Sequence, residues 1–142
     1  MAIEMYVVAG AAIAMSLGGA GSAMGLRKSG EMVTGILREK PDRWASLFML
    51  AILPSTQGLY GFITAMMALL MSQDVGIAIM IACIPAGITG LITGPMQGSV
   101  CAAASQMVAA RPDQRGRGIL LAVFIEFYAV LGLIVSIMAL IL

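Results

Sequence analysis

Four runs of apolar residues, each long enough to cross a membrane, take up most of this 142-residue chain. They fall near residues 5–26, 45–71, 76–108 and 118–142, against the roughly 20 apolar residues that a spanning helix needs. Hydrophobic residues make up 61% of the sequence and charged residues 11%. With a mean hydropathy of +1.01, too little polar surface remains to coat a soluble domain of this size. The expected fold is an all-α membrane protein of four transmembrane helices.

The placement of the charges orients those helices. All eight Lys and Arg lie in two groups, Arg27, Lys28, Arg38, Lys40 and Arg43 around the first connection and Arg111, Arg115 and Arg117 around the third. The other side carries only Glu4 and Asp74. Basic connections stay cytoplasmic, so both termini and the short turn at Ser72–Asp74 are expected outside. No Lys or Arg precedes the apolar stretch Tyr6–Ala14, so it reads as the first membrane helix and not as a secretory signal.

A shift of 71 residues lays the chain on itself. Pro41-Asp42 falls on Pro112-Asp113 and Leu50-Ala51 on Leu121-Ala122. Residues 61–69 fall on 132–140 with five of nine positions identical. Apolar sequences match by chance more readily than soluble ones, but the polar loop pair and the ungapped block do not fit that explanation. The chain therefore reads as two helical hairpins in one orientation, residues 1–71 and 72–142. At this offset Glu126 falls on Ser55, so one hairpin has an acid that the other lacks.

The first and third helices are rich in glycine: Gly18, Gly21 and Gly25 in one, Gly90, Gly94 and Gly98 in the other. Small residues three or four apart let membrane helices approach closely. These helices are expected to pack against copies of themselves, with helices two and four outside and facing lipid. Ordinary packing within one four-helix bundle is the plainer alternative. Cys83 and Cys101 stand eighteen residues apart on the third helix, about 27 Å along its axis, so they cannot pair. There is no His, and a zinc or haem site of ordinary type is not expected.

Two apparent nucleotide motifs fail on inspection. Gly21 to Ser29 resembles a phosphate loop, but Arg27 stands where glycine must precede the Lys-Ser pair. Gly19-x-Gly21 lacks the third glycine and follows no strand. Neither motif survives, so any nucleotide chemistry associated with this chain has to reside elsewhere.

Glu126 is a lone carboxylate inside the apolar run from Ile119 to Leu142. A charge at bilayer depth costs roughly 3 kcal/mol on insertion scales, so such an acid marks an ion or proton path. Leu53, Thr56, Gln57 and Tyr60 follow an i, i+3, i+4, i+7 pattern and share one helical face. Pro54 has no N–H to offer the Leu50 carbonyl, so backbone oxygens near this face are expected to be free for an ion. Counted from the basic loops, Gln57, Gln97 and Glu126 lie about 20, 21 and 14 Å deep, so the three can meet near mid-membrane. One carboxylate with amide and hydroxyl oxygens is a hard cage, better matched to Na+ than to Ca2+. A proton needs only a carboxyl held by one or two hydrogen bonds. Simple interhelical hydrogen bonding by the glutamines is the structural alternative.

Three segments carry a family resemblance: Leu53-Pro-Ser-Thr-Gln-Gly-Leu-Tyr-Gly-Phe62, Pro95-Met-Gln-Gly98, and Phe124-Ile-Glu-Phe-Tyr-Ala-Val-Leu-Gly132. Together with the duplication, they resemble the proteolipid rotor subunits of V-type and archaeal-type rotary ATPases, and the sodium-translocating bacterial form more closely. The resemblance implies a ring of identical subunits in a prokaryotic plasma membrane, itself without catalytic activity. It also implies Na+ held by the Leu53 carbonyl, Thr56, Gln57, Gln97 and Glu126, with Tyr60 hydrogen-bonded to the carboxylate. Ser55 stands where some relatives have glycine. The implied partners are a stator subunit with a membrane arginine, a central-stalk subunit at the loops around Arg38–Arg43 and Arg111–Arg117, and lipid. Neither an organic cofactor nor nucleic acid is expected. The alternatives are the same rotor with H+ as the coupling ion, or a small dimeric four-helix exporter, against which the 6% aromatic content weighs.

Overall fold

In the computed structural model, which describes residues 5–70 and 76–142, every long element is helical. Glu4, Asp74 and the turn expected at 72–74 lie outside the described residues. Helix α1 runs Met5–Glu39. A 3-10 turn at Pro41–Arg43 leads to α2, Trp44–Ile52, and a second at Leu53–Ser55 leads to α3, Thr56–Leu70. Then come α4, Gly76–Ala82, α5, Ile84–Ala110, a 3-10 turn at Pro112–Gln114, and α6, Arg115–Ile141. Among the described residues four stretches are long and apolar enough to span a membrane: Met5–Glu39, Pro41–Leu70, Gly76–Ala110 and Pro112–Ile141.

The first helix is longer than the hydropathy pattern suggests. It continues beyond residue 26 through Arg27, Lys28 and Arg38, which are thus on the helix and not in a loop. Hydropathy marks where a helix leaves hydrocarbon, not where it stops. At 35 residues α1 is about 52 Å long, against a hydrocarbon core of about 30 Å. The stop is set by proline. Lys40 precedes Pro41 and has φ −134° and ψ 71°; Arg111 precedes Pro112 and has φ −136° and ψ 88°. A following proline pushes a residue out of the α region, and both hairpins turn by this device.

Helices α1 and α5 pack on each other through their glycines. A Cβ on Gly21 would run into the backbone of Gly90, and one on Gly25 or Gly94 into the facing glycine backbone. Contacts this close require the absence of a side chain. Helix α6 is the most open of the four spans, with 22% of its apolar window buried against 39% for α1, and its Phe124, Phe127 and Leu131 are exposed. The glycine-rich helices therefore form a close seam with each other within one chain, which is the plainer alternative and not a contact between copies.

Two apolar clusters frame the bundle lengthwise. One, with Val33, Leu47, Leu50, Cys101, Val108 and Ala122, lies toward the basic loops. The other, with Val7, Ala14, Ala68, Ile79 and Cys83, lies at the opposite end. Cys83 and Cys101 are free and buried. Between the clusters sits a layer of buried polar side chains that includes Gln57 and Gln97.

A candidate ion site between the two hairpins

The site begins where the second span loses its regular helix. Pro54 cannot donate, and the chain tightens to 3-10 geometry over Leu53–Ser55. Carbonyls released by this change need partners in an apolar interior. Helix α1 supplies two of them. Ser29 Oγ donates to the Ala51 carbonyl at 2.8 Å, and Ser22 Oγ donates to the Pro54 carbonyl at 2.6 Å. Ser22 also accepts from the Gly58 N–H at 2.9 Å, so its hydroxyl is inserted into the helix ladder between Pro54 and Gly58, a recognised cause of helix bending. Neither Ser22 nor Ser29 stands out in the sequence, because their spacing on α1 points at Pro54 only when the two helices are placed side by side.

The Leu53 carbonyl lies on the other side of the break. It accepts the Thr56 hydroxyl at 3.1 Å and the Thr56 backbone N–H. Thr56 Oγ1 also lies 3.4 Å from Gln57 Oε1. The fully buried Gln57 donates through Nε2 to Oε1 of the fully buried Gln97 at 2.7 Å. Gln97 Nε2 in turn donates to the Ala122 carbonyl at 3.2 Å and to Glu126 Oε2 at 3.3 Å. The Tyr60 hydroxyl closes the group by donating to Glu126 Oε1 at 2.6 Å. Leu53, Thr56, Gln57, Tyr60, Gln97 and Glu126, all candidates from sequence, thus converge at one place. They come from the second, third and fourth spans, so the site lies between the two hairpins.

The chemistry of the cluster is that of oxygen ligands around one charge. Glu126 is half-buried, and both of its oxygens have a donor. A half-turn about the last torsion of either glutamine exchanges its NH2 for its carbonyl oxygen, which turns a hydrogen-bond chain into a set of acceptors. No group of three or more His, Cys, Asp or Glu able to hold a metal occurs among the described residues. The donor set suits a hard monovalent cation or a proton and not a zinc-type ion.

The family model for the ATP synthase C subunit matches the chain twice, at residues 9–68 and again at 80–139. The chain belongs to this family. Its members are ring subunits of rotary ATPases, the non-catalytic, ion-translocating part of the complex. This ring proteolipid is therefore an integral membrane protein and not itself an enzyme. It is 35% identical over 137 residues to V-type sodium ATPase subunit K of Enterococcus hirae, an alignment that spans 93% of this chain and 88% of that protein. It is also 32% identical over 133 residues to A-type ATP synthase subunit K of Methanocaldococcus jannaschii, covering 93% of this chain and 60% of that protein. A rotor proteolipid of the V/A type accounts for both similarities, and it replaces the exporter reading.

Proposed function

We propose that this proteolipid carries Na+ across a prokaryotic plasma membrane by reversible binding at Glu126, coupled to rotation of a ring of identical subunits. The observation that carries the reading is the convergence on Glu126 of Tyr60 from one hairpin and Gln97 from the other, beside the Leu53 carbonyl and Thr56 hydroxyl. In the bound state the carboxylate, the Leu53 carbonyl, Thr56 Oγ1 and the two glutamine oxygens surround the ion. The name of the E. hirae relative, a sodium ATPase subunit, supports the same ion.

The coupling follows from electrostatics. An occupied site is close to neutral and tolerates hydrocarbon as the ring turns. An empty Glu126 is an anion that rests only against water or a positive group, which a stator arginine supplies. Moving one charge across 100 mV is worth about 2.3 kcal/mol, so several sites per turn are required to balance one nucleotide event. The basic loops at Lys40–Arg43 and Arg111–Arg117 face the cytoplasm in this reading and meet the central stalk.

A proton in place of Na+ is the second reading, since a carboxyl held by one or two hydrogen bonds, as that of Glu126 is, needs no further oxygen ligands. Equilibrium 22Na+ binding to the purified assembly, with Glu126→Gln as control, decides between them. Saturable binding lost in the variant supports sodium. Absence of binding in the parent protein, with carbodiimide labelling of Glu126 unaffected by Na+ at neutral pH, rejects it.

A further inference from the structure

The groups that converge on Glu126 come from the second, third and fourth spans, yet the turn that presents the Leu53 carbonyl is shaped from the first. Ser22, on α1, is buried, and its hydroxyl stands between two main-chain groups that a regular helix joins directly. It donates to the Pro54 carbonyl at 2.6 Å and accepts the Gly58 N–H at 2.9 Å. One oxygen thus replaces one bond of the helical ladder and spreads the helix on the side toward α1. Leu53 and Gln57 each stand one residue before a bridged position. A Cβ on Gly18 would strike the Gln57 carbonyl at 2.8 Å, and one on Gly58 would stand 3.1 Å from Ser22 Oγ, so α1 lies flush against this turn.

The second hairpin shows that the bridge is not a requirement of packing. At the offset of 71 residues Thr93 corresponds to Ser22, Ile125 to Pro54 and Ala129 to Gly58. Thr93 Oγ1 donates to the Thr89 carbonyl of its own helix at 2.7 Å. Helix α6 runs unbroken over Arg115–Ile141, through the positions at which the second span is interrupted. Proline break and bridging serine therefore occur together in the hairpin that supplies Leu53, Thr56 and Gln57, while the other hairpin docks its helices with a regular turn at the same place.

We propose that Ser22 is a positioning residue of the ion site: by holding Pro54 and Gly58 apart, its hydroxyl fixes the direction of the Leu53 carbonyl and of Gln57, and so sets how well the cage discriminates Na+ from the smaller Li+. The proposal rests on the cation reading above. Selectivity between ions of like charge depends on cavity size and on how rigidly the ligands are held, and a backbone carbonyl is held only by its own helix. Without the hydroxyl, the Gly58 N–H and the Pro54 carbonyl meet directly, as in a regular helix. Neither then lacks a partner, and the change falls on ligand position and not on stability. Ser29 is the contrast on the same helix. It donates to the Ala51 carbonyl at 2.8 Å, so its loss takes a partner from that carbonyl and restores no helical bond.

Titration of the purified full-length assembly with 22Na+, and with Li+ as its competitor, tests the role. In Ser22→Ala the ratio of Na+ to Li+ affinity is expected to fall about tenfold, the low end of the range for losing an outer partner of a metal ligand. The number of sites per chain and the thermal midpoint stay near those of the parent. Ser22→Thr, which keeps the hydroxyl, restores the parent ratio. Ser29→Ala lowers the midpoint and leaves the ratio in place. An unchanged ratio in Ser22→Ala overturns the proposal, and so does a Ser22→Thr protein that behaves like Ser22→Ala. An equal shift in Ser29→Ala also overturns it, because the effect then belongs to the docking of α1 in general. A parent protein that binds neither ion rejects the cation reading and the proposal with it. Should Ser22→Ala fail to assemble, Gly58→Ala, whose added carbon crowds the Ser22 hydroxyl, is expected to lower the same ratio by a smaller factor, and an unmoved ratio there counts equally against the role.

Discussion

The Tyr60 hydroxyl donates to Glu126 Oε1 at 2.6 Å, across the boundary between the two hairpins. When the carboxylate holds Na+ such a bond is charge-assisted, and it fixes the carboxylate relative to the Thr56 and Leu53 oxygens, about one and two turns from Tyr60. Hydrogen bonds to charged groups contribute about 1.5–3 kcal/mol, and 1.4 kcal/mol is about tenfold in affinity. Tyr60 and Glu126 are only half-buried, which favours the lower end. Tyr60→Phe is expected to weaken Na+ binding about tenfold while the assembly forms normally. The concentration of Na+ that protects Glu126 from carbodiimide labelling measures this, and an unchanged value would show that the hydroxyl does not act on the site.

Gln57 and Gln97 are joined by a 2.7 Å bond in a fully buried setting, so their contributions should not be independent. Residues in one hydrogen-bonded network show interaction energies of about 0.5–3 kcal/mol in a double-mutant cycle. Gln57→Leu, Gln97→Leu and the double variant, each measured by 22Na+ binding, should therefore be non-additive. Strict additivity would separate the two side chains into unrelated roles.

Ser29 is fully buried and holds the Ala51 carbonyl at 2.8 Å. Leaving a buried acceptor unpaired costs about 1–3 kcal/mol. Ser29→Ala should lower the thermal midpoint of the detergent-solubilised protein, whereas an exposed serine such as Ser16, replaced in the same way, should leave it in place. Equal midpoints for the two variants would mean that the broken helix does not depend on α1.

Gly94 and Gly35 are both helical glycines with opposite surroundings. A Cβ at Gly94 collides with the backbone of Gly21, while one at Gly35 meets nothing within 4 Å. Gly94→Val should destabilise the protein by overpacking, typically about 1–3 kcal/mol and more where backbone must move. Gly35→Ala should be neutral or stabilising by up to about 1 kcal/mol, from helix propensity. Thermal stability in detergent checks both, and a tolerated Gly94→Val would refute the tight glycine seam.

Much of this molecule is legible in its residues alone. Apolar runs of bilayer length fix four spans, because hydrocarbon leaves the backbone no other way to satisfy its bonds. The repeat at an offset of 71 residues fixes two equivalent hairpins, and Glu126 announces itself as the charge that hydrocarbon does not tolerate alone. The face shared by Leu53, Thr56, Gln57 and Tyr60 follows from helical periodicity. Less legible is what happens where proline meets helix: Lys40 and Arg111, not the end of the apolar run, mark where α1 and α5 stop.

Tertiary structure alone decides the rest. That Tyr60 and Gln97 reach Glu126 from opposite hairpins depends on how closely α1 and α5 approach through Gly21, Gly25, Gly90 and Gly94. That the carbonyls of Ala51 and Pro54 find Ser29 and Ser22 depends on the rotation of α1 against the second span. Sequence periodicity sets which residues share a face of one helix, but it carries no term for the distance and rotation between two helices. Those are set by side-chain volume at the contact, and here that volume is a row of missing Cβ atoms.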